Sequence, residues 1–255
     1  MTPQPALKVN DLIQRLSMLA AKARHGSIDE LSIRRVEGEA LALLKSDALG
    51  GNVTLGIASA IRGDEAKSRE YHLKAIRLSD DEITRRNYAN SLGHLGRWDD
   101  AFEQFDIVIE RYPDDVALFK YLLEWSIRTG YPQRAIVYGR KVLKLDPLAR
   151  NDENLTNFMK IAEVLAKSGL CDADISAIDA LAYQVVKEFG AEVFDLETWE
   201  DNWETPDASV VRFYRVRGGN VTDMNWALAE LKAAANTDAL RSGRYYVGFS
   251  VAPDQ

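Results

Sequence analysis

The sequence predicts a mostly α fold: a solenoid of antiparallel helix pairs with a small strand–helix–strand appendage at the C-terminal end. Three observations lead there. Gly96, Ala101 and Pro113 reappear 34 residues later as Gly130, Ala135 and Pro147, and an interval of about 34 residues is the mark of helix–turn–helix units that stack on their neighbours. Apolar residues at spacings of three and four run through most of the first 190 positions. Past residue 208 the pattern changes to β-branched and aromatic residues in alternation.

Taken in order, Val9, Leu12, Ile13, Leu16 and Leu19 give the first helix one apolar face, closed by His25-Gly26. Ser27 and Glu30 have the spacing of a capping box, and the helix they open carries Leu31, Ile33, Val36, Ala40 and Leu43 until Gly50-Gly51 stops it. Residues 52–78 hold a second pair broken at Gly63-Asp64. Ser79 and Glu82 repeat the capping-box spacing. The best units follow at 82–115 and 116–149, with helices expected over 83–95, 98–111, 117–129 and 132–145. Gly96 and Gly130 suit the left-handed residue that closes a helix. Pro132 suits a first turn, and Pro113 and Pro147 end the second helices. Amphipathic helices over 154–167 and 173–189 read as a drifted fourth unit.

These pieces resemble the tetratricopeptide repeat family. The resemblance rests on Leu55-Gly56, Gly63 and Ala75, then Ala89, Gly96-Arg-Trp98-Asp-Asp-Ala101, Phe105 and Pro113, then Gly130, Ala135 and Pro147, covering residues 49–149. Leu123 stands where the family has a small residue and Gly139 where it has an aromatic. The resemblance implies a groove lined by the first helix of each unit. Carried over place by place, its lining is Ile83, Arg86, Asn90, Gly93 and His94, then Ala117, Lys120, Glu124, Ile127 and Arg128. Arg86, Asn90, Lys120 and Arg128 resemble the carboxylate-clamp pattern that holds a peptide C-terminus, because a bound carboxylate needs several charge-assisted donors. Glu124 departs from that pattern and can neutralise Lys120 or Arg128.

The remainder divides into an acidic linker at 191–208 and an appendage at 209–255. The linker carries acids without Lys or Arg, and Trp199 and Trp203 stand four apart. It reads either as a short helix with both indoles packed down or as an acidic-aromatic docking segment. In the appendage, 210–216 and 245–251 read as strands, with a helix between them that Thr222 can cap. Two strands alone are marginal, so the appendage should pack on the solenoid or complete a sheet with a second copy, giving a homodimer.

Lys and Arg number 32 against 39 Asp and Glu, a net charge of −7. That balance opposes general nucleic-acid or anionic-membrane binding. One cysteine, Cys171, and three scattered histidines, His25, His72 and His94, give no metal-ligand spacing. No nucleophile or phosphate-loop motif occurs, so neither metal nor cofactor is expected. The N-terminal residues lack a basic stretch followed by an apolar core, which predicts a cytoplasmic location. Two functions follow as expectations. One is a non-catalytic adaptor that holds a protein or peptide in the groove through an acidic or C-terminal carboxylate group. The other is a ligand-binding or enzymatic protein with its site in the appendage, near Phe213, Tyr214, Arg215, Tyr245 and Tyr246.

Overall fold

A computed structural model describes residues 5–24, 29–201 and 209–252. The chain divides into two compact units, 1–113 and 114–255.

The first unit is three helical hairpins: α1 (Pro5–Arg24) with α2 (Glu30–Leu43), α3 (Ala48–Ile61) with α4 (Glu65–Leu78), and α5 (Glu82–His94) with α6 (Trp98–Arg111). Leu12, Leu16, Ile33, Val36, Ala40 and Leu43 share a core with Leu55, Ala58 and Ile61, so the first hairpin buries its stripe against α3. The expected stop at Gly50-Gly51 is corrected. Both glycines sit in the first turn of α3, after Asp47, whose side chain accepts from the Gly50 amide. They are buried, and a Cβ on Gly50 would meet Val9 Cγ2 at 2.3 Å while one on Gly51 would meet Leu44 Cδ2 at 2.9 Å. Close helix approach, not termination, is their use.

The capping residues differ too. Asp29 accepts from the Ser32 amide at the start of α2, while Ser27 lies outside the described residues. At α5 the cap is Asp81, which accepts from the Thr84 amide (2.8 Å) and from Ser79 Oγ (2.6 Å). Asp is as good an N-cap as Ser and brings a charge favoured at the positive helix end.

In the second unit α7 (Val116–Arg128) pairs with α8 (Pro132–Leu145), and a 3-10 turn (Pro147–Asn151) leads to α9 (Glu153–Lys167) and α10 (Asp172–Glu188). Tyr131 precedes α8 without a side-chain cap, and Asp172 supplies one from α10, accepting from the Gln133 amide (2.8 Å) and the Arg134 amide (3.2 Å). The missing aromatic at Gly139 is replaced from α9. A Cβ there would fall 1.8 Å from Met159 Sδ, so the thioether occupies the space.

The C-terminal part is a three-stranded sheet in the order β1 (Glu192–Asp201), β2 (Ser209–Arg217), β3 (Tyr245–Val251), with α11 (Val221–Ala235) and α12 (Asp238–Arg241) between the last two. β1 runs antiparallel to β2 and β3 parallel to it. The acidic stretch is therefore not a linker or a helix through residue 201; it is the third strand, with a bulge between Val193 and Asp195. Asn220, not Thr222, caps α11, accepting from the Thr222 and Asp223 amides. The sheet is not a separate module. Val210, Tyr214, Val216, Tyr245, Val247 and Phe249 share one core with Leu165, Ile175, Ile178, Ala182, Val185 and Val186 of α9 and α10.

Candidate functional site

Within the first unit, Arg86, Asn90 and His94 stand on α5, whose other face buries Thr84, Tyr88, Ala89 and Leu92. Arg86 Nη1 donates to Glu82 Oε1 at 2.8 Å, one helical turn away. Ile83 is 71% exposed and Gly93 is buried, so the stripe is polar at its centre. Within the second unit, Lys120, Glu124 and Arg128 stand on α7, which buries Leu118, Phe119, Leu122, Leu123, Ser126 and Ile127. Lys120 Nζ donates to Asp152 Oδ2 at 2.9 Å, and Arg128 pairs with Glu124 at 2.8 Å. The pairs 86/120, 90/124 and 94/128 are each 34 residues apart, and each repeat-equivalent position is kept out of the core in its own unit. Arg86, Lys120 and Arg128 each already hold a carboxylate.

His72 belongs to the core of the first unit. Its imidazole is fully buried, packs on the Tyr88 ring at 5.1 Å, and shares a hydrogen bond between Nε2 and Ser91 Oγ at 2.8 Å. Gly56 makes room for it, since a Cβ there would approach the ring to 2.6 Å. Burial favours the neutral ring and lowers its pKa to about 3. Among the described residues no group of three or more His, Cys, Asp and Glu side chains is placed to hold a metal ion. Cys171 is an exposed free thiol whose Sγ donates to Asp174 Oδ2.

The second unit also holds a buried polar cluster that sequence reasoning did not identify. Arg212 projects from β2 into the core and Asp179 from α10, and both are almost wholly inaccessible. Arg212 Nη1 donates to Asp179 Oδ2 at 2.6 Å, and Tyr245 Oη donates to Asp179 Oδ1 at 2.7 Å. Arg212 Nη2 donates to the Ile127 carbonyl at the end of α7 at 2.8 Å, where a cation also meets the negative end of the helix. The Tyr214 ring lies beside the guanidinium at 5.7 Å and meets the Tyr183 ring edge-on at 5.2 Å. Burial is the largest single influence on Arg212 and opposes its charge, but Asp179 together with Tyr245, Tyr214 and Tyr183 outweighs it and holds the guanidinium pKa well above its ordinary value. Burial raises the Asp179 carboxyl, with Arg212 and Tyr245 pulling against it. Gly130 closes the cluster from the α7–α8 turn, because a Cβ there would meet Ser176 Cα at 2.9 Å and Asp179 Oδ2 at 3.0 Å. The arrangement pins the sheet to α7 and α10. Two of the residues grouped for an appendage site, Tyr214 and Tyr245, are spent in it.

The other sheet face carries Trp199, stacked on Phe213 with ring centroids 5.4 Å apart and planes 5° from parallel. Arg215 pairs with Glu197 on the same face, and Tyr246 stands exposed beside Val211. Trp203 lies outside the described residues. A shallow groove of about 560 Å³ runs between α9 and β1, lined by Asn157, Ile161, Leu196, Glu197, Thr198 and Trp199.

No family model, curated protein or solved structure matches the chain. Among the described residues no helix is long and apolar enough to cross a membrane.

Proposed function

We propose that the chain is a tetratricopeptide-type adaptor in which the first helix of each repeat, taken unit by unit, offers a cation-bearing stripe to acidic protein segments. One observation carries this reading: the repeat-equivalent stripes Arg86–Asn90–His94 and Lys120–Glu124–Arg128 are both kept out of the core, while the opposite face of each helix is buried through Thr84, Tyr88 and Leu92 in one and Leu118, Leu122 and Leu123 in the other. A solenoid that kept these positions for packing alone would bury them.

The intramolecular partners Glu82, Asp152 and Glu124 stand in for the ligand. Each occupies its cation with the group an incoming carboxylate would bring. Solvent-accessible pairs of this kind are weak and screened by salt, so an incoming carboxylate displaces each of them at small cost. Adaptor work of this kind needs no cofactor, and a cytoplasmic setting suits it.

The test is a peptide array displayed once with free C-terminal carboxylates and once amidated. Acidic, free-ended sequences should be retained, and the Arg86→Glu/Lys120→Glu protein should lose them. Retention by the charge-reversed protein equal to wild type would end the reading.

A further inference from the structure

The two edges of the C-terminal sheet are treated differently, and that difference points to a second docking surface. On β3 three outward-facing backbone groups at the middle of the strand are occupied. Asn225 of α11 accepts from the Phe249 amide (2.9 Å) and donates to its carbonyl (3.1 Å), copying a strand's pairing, and Lys232 donates to the Val247 carbonyl (2.7 Å). Blocking an edge in this way is a known defence against unwanted strand pairing.

β1 lacks such a cover among the described residues. The Val210 amide donates to the Arg244 carbonyl (2.8 Å) and the Val216 carbonyl accepts from the Ala252 amide (3.0 Å), so the even-numbered residues of β2 face β3 and the odd-numbered ones face β1. Their partners on β1 are Asp195, Glu197 and Trp199. In an antiparallel ladder the residues between them, Leu196 and Thr198, then direct their backbone groups away from the sheet. The Leu196 amide is taken by Asp195 Oδ1 at 2.8 Å; no strand lies beside the rest, because β1 ends the sheet. The groove between α9 and β1 runs beside this edge, and Thr198 Oγ1, on its lining, is buried without a hydrogen-bond partner.

We infer that the β1 edge and its groove take an extended basic segment of a partner protein, added as a fourth strand, with Lys or Arg at alternate positions and aliphatic residues between. Charge selects the occupant. Residues 192–207 hold seven acids and no Lys or Arg. A second copy of the chain would set this acidic strand against itself, and like charges directly opposite are unfavourable. On an added strand, one set of side chains lies beside Asp195, Glu197 and Trp199, where cations meet carboxylates and a half-exposed indole face. The alternate set lies beside Leu196 and Thr198 and enters the groove against Ile161 and Asn157. Main-chain hydrogen bonds supply the attachment and the alternating side chains its selectivity.

The experiment uses the full chain and a fluorescein-labelled, end-blocked peptide Lys-Val-Lys-Thr-Lys-Val-Lys, followed by polarisation. Two N-methylated forms carry methyl groups on alternate amides in the two opposite phases. Saturable one-to-one binding is expected, weakened about tenfold or more by one phase of methylation, since each lost backbone bond counts, and within about twofold for the other. Thr198→Pro removes an outward amide while sparing the β1–β2 ladder and should weaken binding to a similar degree. Should that variant melt abnormally, the methylated pair decides alone. Absence of saturable binding, equal binding of both methylated forms, equal binding of the peptide with Glu for Lys, or chain dimerisation that excludes the peptide would each overturn the inference. The Arg86→Glu/Lys120→Glu protein should bind this peptide as wild type does, which separates this surface from the helical stripes.

Discussion

Arg212 on β2 and Asp179 on α10 form a buried ion pair at 2.6 Å, and through the Ile127 carbonyl the same guanidinium also grips the end of α7. What reads in sequence as an appendage is thereby part of the second unit's core. Removing one partner leaves an uncompensated buried charge, a loss of roughly 3–5 kcal/mol. Asp179→Ala should therefore unfold at markedly lower urea. An Asp179→Leu/Arg212→Met double variant should lose less than the single change, and a double-mutant cycle measures the difference.

The same continuity predicts the effect of cutting the chain. Deleting residues 191–255 strips the sheet from Leu165, Ile175, Ile178, Val185 and Val186. Amide exchange in α9 and α10 should then accelerate towards that of an unprotected helix. Unchanged protection would mean that these helices do not need the sheet.

Gly96 and Gly130 are repeat equivalents with the same left-handed backbone, φ +76° and +81°. Alanine at either costs about 1 kcal/mol for that conformation alone. At Gly96 nothing lies within 4 Å of the added methyl, whereas at Gly130 it meets the Ser176 backbone and Asp179. Thermal denaturation should show Gly130→Ala as clearly the more damaging change.

His72 makes stability pH-dependent. Its folded pKa is lowered to about 3, while the unfolded ring titrates near 6.5. Between those values the unfolded chain holds the extra proton, so stability is complete above about pH 6.5 and falls as pH drops towards 3. The slope is about 1.4 kcal/mol per pH unit for one group. His72→Gln should flatten the urea-midpoint profile between pH 6.5 and 5 relative to wild type. An unchanged slope would place the titration elsewhere.

Legibility in the sequence followed the range of the interactions. The helices of the 82–149 stretch are marked by local features, Gly96, Gly130, Pro132 and Pro147, and α5 to α8 begin and end within a residue or so of the periodic pattern. β1 escaped because its acids disfavour a strand and Trp199 and Trp203 share helical spacing; its pairing lies in β2, beyond the reach of local periodicity. The buried pair left a faint signal. Asp179 interrupts the apolar stripe of Ile175, Ile178 and Ala182, and Arg212 falls in phase with Val210, Tyr214 and Val216. Each is a charge on an inward face, and each answers the other across 33 residues of chain.

The reading of the repeats as a carboxylate-binding surface is tested most directly by amide-shift mapping. An acidic peptide with a free C-terminus would be titrated into the full chain, in parallel with its amide and with the Arg86→Gln/Lys120→Gln protein. Shifts on α5, on α7 or on each separately, weakened by amidation and lost in the double variant, are the predicted result. Shifts elsewhere, or shifts unaffected by both changes, would contradict it.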